Sequence, residues 1–313
     1  MSEKTVVESR VAVVPNKDLG LDIYVNEKPL FSHQGLRSAF GGSLLGQVIA
    51  AASNTVPDGF IAYSSQTTFV RPAKSHEPAV YHIDRTYDGR AYATRAVRVT
   101  QGSDAACILV STVSFQNNNI PPGNTLDYST PIIETDVHPD DIPLQSARQL
   151  TTTHIDKSVR VVRGGAADDP FDWRPLGFRS VEQEPYKFVV RGFLRSSSPI
   201  SMDSPSVHLS AIAYSSDEHL LAPAIYSNPE KVGQGIKNVT MVASLIHNLS
   251  FHDPSARADN WMACERSTSW AADGRVLVHQ RMWNLKTGRL IMSGTQEALI
   301  RLKDQDKRGP TKL

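Results

Sequence analysis

Residues 41–53, GGSLLGQVIAAAS, are apolar or small at nearly every position, which predicts a helix buried on all sides. Four runs with strand-like alternation follow, near 62–71, 79–87, 91–100 and 106–116. The same order then returns. SVHLSAIAYSSDEHLLA, residues 206–222, predicts a second helix, started by Pro205 and Ser206 and stopped by Pro223. Four further strands are expected near 238–251, 260–269, 275–284 and 289–302. TFVRP (68–72) matches SFHDP (250–254) at the end of the first strand after each helix, and DGR recurs at 88–90 and 273–275 as a tight turn between strands. Two shared signatures in one order point to an internal duplication.

Between the halves the pattern lapses. Residues 117–155 are rich in Asn, Pro, Asp and Ser without periodicity, as in a linker crossing the surface. KSVRVVR (157–163) and YKFVVRGFLR (186–195) predict the opening strands of the second unit. The expected division is a first repeat over 1–116, a linker over 117–155, a second repeat over 156–303 and a tail over 304–313. Each repeat would be an antiparallel sheet wrapped around one long helix, an α+β arrangement.

Three polar positions interrupt this scheme in the second half. In RLIMSGTQEALIRL the alternate positions Leu290, Met292, Gly294, Gln296, Ala298 and Ile300 form an apolar face, and Gln296 places an amide in the middle of it. The bland reading is a core glutamine satisfied by backbone; the other is an amide kept for a ligand or a water. Asp217 lies near the end of the second helix, in a locally polar stretch where a surface aspartate is the simpler reading. Ser244 falls on the more polar face of strand 239–251, with Thr240, Val242, Ile246, Asn248 and Ser250, and opposite His247.

Composition narrows the function classes. The formal net charge is +1, which argues against a nucleic-acid partner. Cys107 and Cys264 show no zinc spacing and read as free thiols in a reducing compartment. The amino terminus lacks the apolar core of a signal peptide, and no apolar run approaches the roughly 20 residues of a membrane span. An intracellular protein is therefore expected. The final Thr-Lys-Leu differs by one methyl group from the peroxisomal address Ser-Lys-Leu, so a peroxisomal matrix location is one expectation and the cytoplasm the other.

The residues now carry a resemblance. GLRSAFGGSLLGQVIAAA, SSQTTFVRPA, DGRAYATRAVRV and STVSFQ resemble the first half of the type II acyl-CoA thioesterases; AYSSDEHLL, LIHNLSFHDP, RVLVHQRMWNLKTGRLI and GTQEALIR resemble the second half in the same order. The match covers most of residues 20–303 outside the linker. It implies a double hot-dog fold and hydrolysis of acyl-CoA to a free carboxylic acid and CoA, with no cofactor and no metal. It further implies that an Asp, a Ser and a Gln hold and activate a water; by motif these are Asp217, Ser244 and Gln296. Backbone N–H groups at Gly41 and Gly42, near a helix amino terminus, are candidates for the oxyanion, and Arg71 is a candidate for substrate binding. Pairing of exposed edges or faces into a homo-oligomer is a further expectation.

Two departures stand out. Ile246 replaces an acidic residue of the family pattern and Ser250 a Trp, and the strand pattern places both on the face of Ser244. A re-lined pocket, accepting an unusual or polyketide-like acyl thioester, would follow. A catalytically silent acyl-CoA binder is the alternative from another class. A serine-nucleophile hydrolase is set aside because no GxSxG is present, and an enoyl hydratase because no Asp/His pair precedes the central helix. His247 and His252 do not read as a metal pair, since an offset of five puts them on opposite faces of a strand.

Overall fold

A computed structural model describes residues 4–33, 38–142, 169–181, 183–233 and 236–303. In chain order it contains α1 (Val6–Val11), β1 (Val13–Pro15), β2 (Ile23–Asn26), α2 (Gly41–Ser53), β3 (Phe60–Phe69), β4 (Val80–Asp88), β5 (Tyr92–Gln101) and β6 (Ala106–Asn117). The second half contributes β7 (Phe171–Arg179), β8 (Val189–Ser196), α3 (Pro205–Asp217), α4 (Ala222–Tyr226), α5 (Pro229–Val232), β9 (Val239–Phe251), β10 (Met262–Ala272), β11 (Arg275–Asn284) and β12 (Leu290–Leu302). All strands join one antiparallel sheet in the order β1-β2-β4-β5-β6-β3-β9-β12-β11-β10-β8-β7. That order reads the same way outward from its centre, where β3 meets β9 and Gln66 lies opposite Asn248.

The two halves share one core. The apolar inner face of the sheet packs on α2 and α3, and Leu45, Ile49, Phe115, Ile212, Tyr214 and Met282 belong to a single buried cluster. The helices run antiparallel and very close. A methyl group at Gly42 would collide with the Tyr214 carbonyl, and one at Gly46 would lie 2.8 Å from that of Ser210. Glycine at these positions is what lets the backbones meet.

Several expectations shift. α3 ends at Asp217 instead of running to residue 222, because Glu218 is extended and His219 adopts φ 53°. Pro223 sits inside the first turn of the separate helix α4 and stops nothing. The DGR turn at 273–275 is a two-residue hairpin with Asp273 and Gly274 both at positive φ, whereas β4 and β5 are joined by the longer connection 89–91. β7 was hidden from the pattern because Pro175 and Gly177 interrupt it, which an edge strand tolerates. KSVRVVR lies outside the described residues, as does the tail over 304–313.

The described part of the region after β6 crosses the outer face of the second half. Ile133 packs there with Phe193, Ala263 and Trp283, and the Trp283 indole donates to the Thr130 carbonyl at 2.9 Å.

Candidate active site

Two of the polar positions that broke the sequence pattern, Ser244 and Gln296, meet on the inner face of the sheet. Gln296, 1 % exposed, faces inward from β12 and donates through Nε2 to Ser244 Oγ at 3.1 Å. Its Oε1 contacts His247 Nδ1, and His247 Nε2 lies 2.9 Å from Ser216 Oγ. Ser216 precedes Asp217, the last residue of α3. The structure thus brings Ser244 and Gln296 into direct contact and links them through His247 to the residue beside Asp217. Among the described residues no hydrogen bond joins Asp217 itself to Ser244 or Gln296.

The strand alternation placed Ser244 on the wrong face. β9 carries a bulge: His247 opposes Gln296 and Ile246 opposes Glu297, but Ser244 opposes Ala298, leaving Leu245 as the extra residue. One extra residue reverses the parity of everything before it. Ser244 therefore shares the inner face with His247, Leu249 and Phe251. Ile246 and Ser250 point outward and are exposed, so the expectation that these two departures re-line the site falls. A second bulge, near Ile291, turns Leu290 away from the Gln296 face into the outer cluster with Trp283.

The position of Asp217 follows from how α3 stops. Its terminal carbonyls need donors once helical bonding ends. Gln280 Nε2 donates to the Ser216 carbonyl at 2.9 Å, and the Arg266 guanidinium donates to the carbonyls of Glu218 and, at 3.4 Å, Ser215. Arg266 is 1 % exposed and lies 4.8 Å from the Trp173 ring centroid. A cation there also complements the negative end of the helix. With α3 held this way, Asp217 faces the start of α2: a methyl group at Gly41 would lie 2.7 Å from Asp217 Oδ2 and 3.2 Å from the Phe69 ring. α2 receives no side-chain cap from its N-cap residue Phe40.

Neighbouring groups titrate abnormally. Glu218 is pushed up to about 7, first by burial and then by the adjacent charge of Asp217. Burial lowers the pKa of His247, partly countered by Asp217 and by the bond to Gln296, so a neutral imidazole is favoured. Arg71, just past β3, is exposed and pairs with no carboxylate among the described residues.

The equivalent place in the first half is different. Gln296 opposes His247 as Val113 opposes Ser65, so its ladder counterpart is Val113, 0 % exposed. Sequence reasoning also missed His247, Arg266 and Gln280. The signal was available for the last two, since each is a polar residue on the apolar face of its strand, as Gln296 is. A concavity of about 720 Å³, lined by Gln66, Thr68, His82, Arg98, Thr112 and Asn248, lies on the outer face of the sheet, away from this site.

A twelve-stranded sheet wrapped around two antiparallel helices, with one polar set in only one of two matching halves, is a double hot-dog architecture. Solved structures agree: acyl-CoA thioesterase II TesB2 from Mycobacterium marinum superposes with a TM-score of 0.72 at 24% identity, covering 96% of this chain and 98% of that one. Two family profiles match in tandem, an acyl-CoA thioesterase N-terminal domain over residues 30–116 and an acyl-CoA thioesterase C-terminal domain over residues 139–300. Acyl-coenzyme A thioesterase 8 of Mus musculus is 30% identical over 275 residues, covering 85% of this chain and 81% of that protein. Acyl-CoA thioesterase 2 of Haemophilus influenzae is 24% identical over 279 residues, covering 86% and 90% respectively. The chain belongs to the type II acyl-CoA thioesterase family.

Proposed function

We propose that Asp217, Ser244 and Gln296 hold and activate the water with which this thioester hydrolase cleaves acyl-CoA to a free carboxylic acid and CoA. The observation that carries the reading is the Gln296–Ser244 contact on the inner face of the sheet, with a carboxylate at the end of α3 that faces the start of α2. Because Ser244 Oγ accepts from Gln296, its own hydrogen is free to donate to a water. That water gives a proton to Asp217 as its oxygen attacks the thioester carbonyl. The Gly41 and Gly42 N–H groups face the oxyanion that forms, at the positive end of α2. Collapse of the tetrahedral intermediate expels the CoA thiolate, which takes the proton back from Asp217. A thiol leaving group has a pKa of about 8.5 by analogy with cysteine, so strong acid assistance is unnecessary.

Arg71 is the candidate for the CoA phosphates. It lies two residues after Phe69, whose ring is 3.2 Å from where a β-carbon on Gly41 would stand. The working division is two repeats, 1–116 and 156–303, with 117–155 between them and the second carrying Asp217, Ser244 and Gln296. No described helix is long and apolar enough to cross a membrane. Delivery to the peroxisome through the Thr-Lys-Leu end is a further proposal, tested by whether a fluorescent fusion loses its punctate distribution when Leu313 is removed. For the activity itself, the purified chain is incubated with a panel of acyl-CoAs and released thiol is followed with a thiol reagent. Saturable turnover is expected; saturable binding without thiol release would overturn the assignment.

A further inference from the structure

We infer that His247 is the positioning residue that fixes which way the Gln296 amide points, and through it the polarity of the whole water site. The inference rests on the reading of Ser244 and Gln296 given above.

A primary amide can sit in either of two orientations related by a half-turn, and only its partners choose between them. Gln296 is buried in a wall otherwise built of Met292, Ala298 and Val278. On one side it meets Ser244 Oγ, which can donate or accept and therefore selects neither orientation. On the other side it meets His247 Nδ1. A protonated Nδ1 can only donate, so it demands the oxygen of Gln296 and sends the NH₂ group toward Ser244. The chain of donors then runs one way: His247 to Gln296, Gln296 to Ser244, and Ser244 outward to the water.

The tautomer is set at Gln296 and requires a turn at Ser216. The Ser216 hydroxyl donates to the Ala213 carbonyl at 2.7 Å, and its Oγ lies 2.9 Å from His247 Nε2. With the ring proton on Nδ1 facing the Gln296 oxygen, Nε2 is bare and the single Ser216 hydrogen turns to it from Ala213. His247 is 0 % exposed, so no solvent competes for either nitrogen. The Leu245 bulge completes the device, because without the parity change Ser244 and His247 could not both face the Gln296 side chain. In the first half the equivalent pair is Ser65 and Val113, which can build no such relay.

The test is a variant series measured in steady state. His247→Leu removes the donor, His247→Gln shifts the amide toward the Nε2 position, and His247→Asn places an NH₂ close to where Nδ1 was. Loss of an orienting partner one step behind reacting groups typically lowers activity about 10- to 100-fold, and that fall is expected in kcat for the Leu and Gln variants, with KM within about threefold. The Asn variant is expected to recover most of the loss. In a Gln296→Ala background, His247→Leu should change kcat by less than about threefold, since the group it orients is gone. A uniform loss across all three variants that follows thermal stability, or an undiminished effect of His247→Leu in the Gln296→Ala background, would overturn the positioning role. If Gln296→Ala alone leaves kcat intact, the water-site reading has failed. If it abolishes kcat while His247→Leu does not, only the inference about His247 has.

Discussion

Replacing Gln296 by Leu is the most informative single perturbation, because volume is nearly kept and only the amide is lost. In the folded chain that amide accepts from His247 and donates to Ser244 at 3.1 Å. Leucine leaves the His247 Nδ1 donor buried at 0 % exposure with no acceptor in reach. A buried orphan donor costs about 1–3 kcal/mol, partly offset because the new side chain buries apolar surface without desolvating an amide. The net expectation is a loss of about 1–2 kcal/mol, read as a lower denaturant midpoint at unchanged slope. Catalysis should suffer more. If the amide positions the water and supports Ser244, kcat falls about 10²–10⁴-fold, the range for losing a positioned proton-transfer partner or a preorganised donor. Val113→Ala, at the matching ladder position of the first half, is the control: a stability loss of roughly 1–3 kcal/mol for the cavity with kcat unchanged. A Gln296→Leu enzyme turning over within threefold of wild type would refute the reasoning.

Three other outcomes follow from the same geometry. Gly46→Ala adds up to about 1 kcal/mol of helix propensity, yet the new methyl would lie 2.5 Å from Val11 Cγ1 and 2.8 Å from the Ser210 carbonyl. Overpacking of about 1–3 kcal/mol should win, giving a lower melting temperature, and an unchanged or higher one would contradict the close helix pair. Glu218 binds its proton up to about pH 7 when folded against 4.5 otherwise, so between those values the unfolded chain has released a proton that the folded chain keeps. Stability should therefore fall as pH rises through that window, by at most about 3 kcal/mol, and Glu218→Gln should flatten the profile in denaturant titrations from pH 4 to 8. Arg71→Ala should raise KM for acyl-CoA several-fold with little change in kcat, the signature of lost ground-state binding; an unchanged KM removes Arg71 from the phosphate site.

What could be read before folding was whatever depends on local period. The span of α2 came directly from its unbroken small and apolar run, and the long strands from their alternation, because burial against one core imposes those periods. Gln296 was visible for the same reason, as a polar residue where the period required an apolar one. The errors arose where one residue changed the count. The Leu245 bulge moved Ser244 across the sheet and carried Ile246 and Ser250 out of the site, and nothing in a period-two pattern marks a bulge. α3 was read too long because Pro223 resembles a stop signal, while the real stop is a backbone change at Glu218 and His219 held by Arg266 and Gln280 from distant strands. His247 was weighed only as half of a metal pair with His252, because its importance lies in a neighbour on another strand, a relation that only the ladder register reveals.

The central claim is that Asp217 takes the proton of the attacking water. Its most direct test is Asp217→Asn, assayed by thiol release from the best acyl-CoA of the panel, with circular dichroism and acyl-CoA binding measured on the same preparation. Asparagine keeps the shape that meets Gly41 and removes the base. The account predicts a folded enzyme that binds substrate and releases thiol about 10²–10⁴-fold more slowly. A folded Asp217→Asn protein that hydrolyses acyl-CoA at the wild-type rate would contradict it.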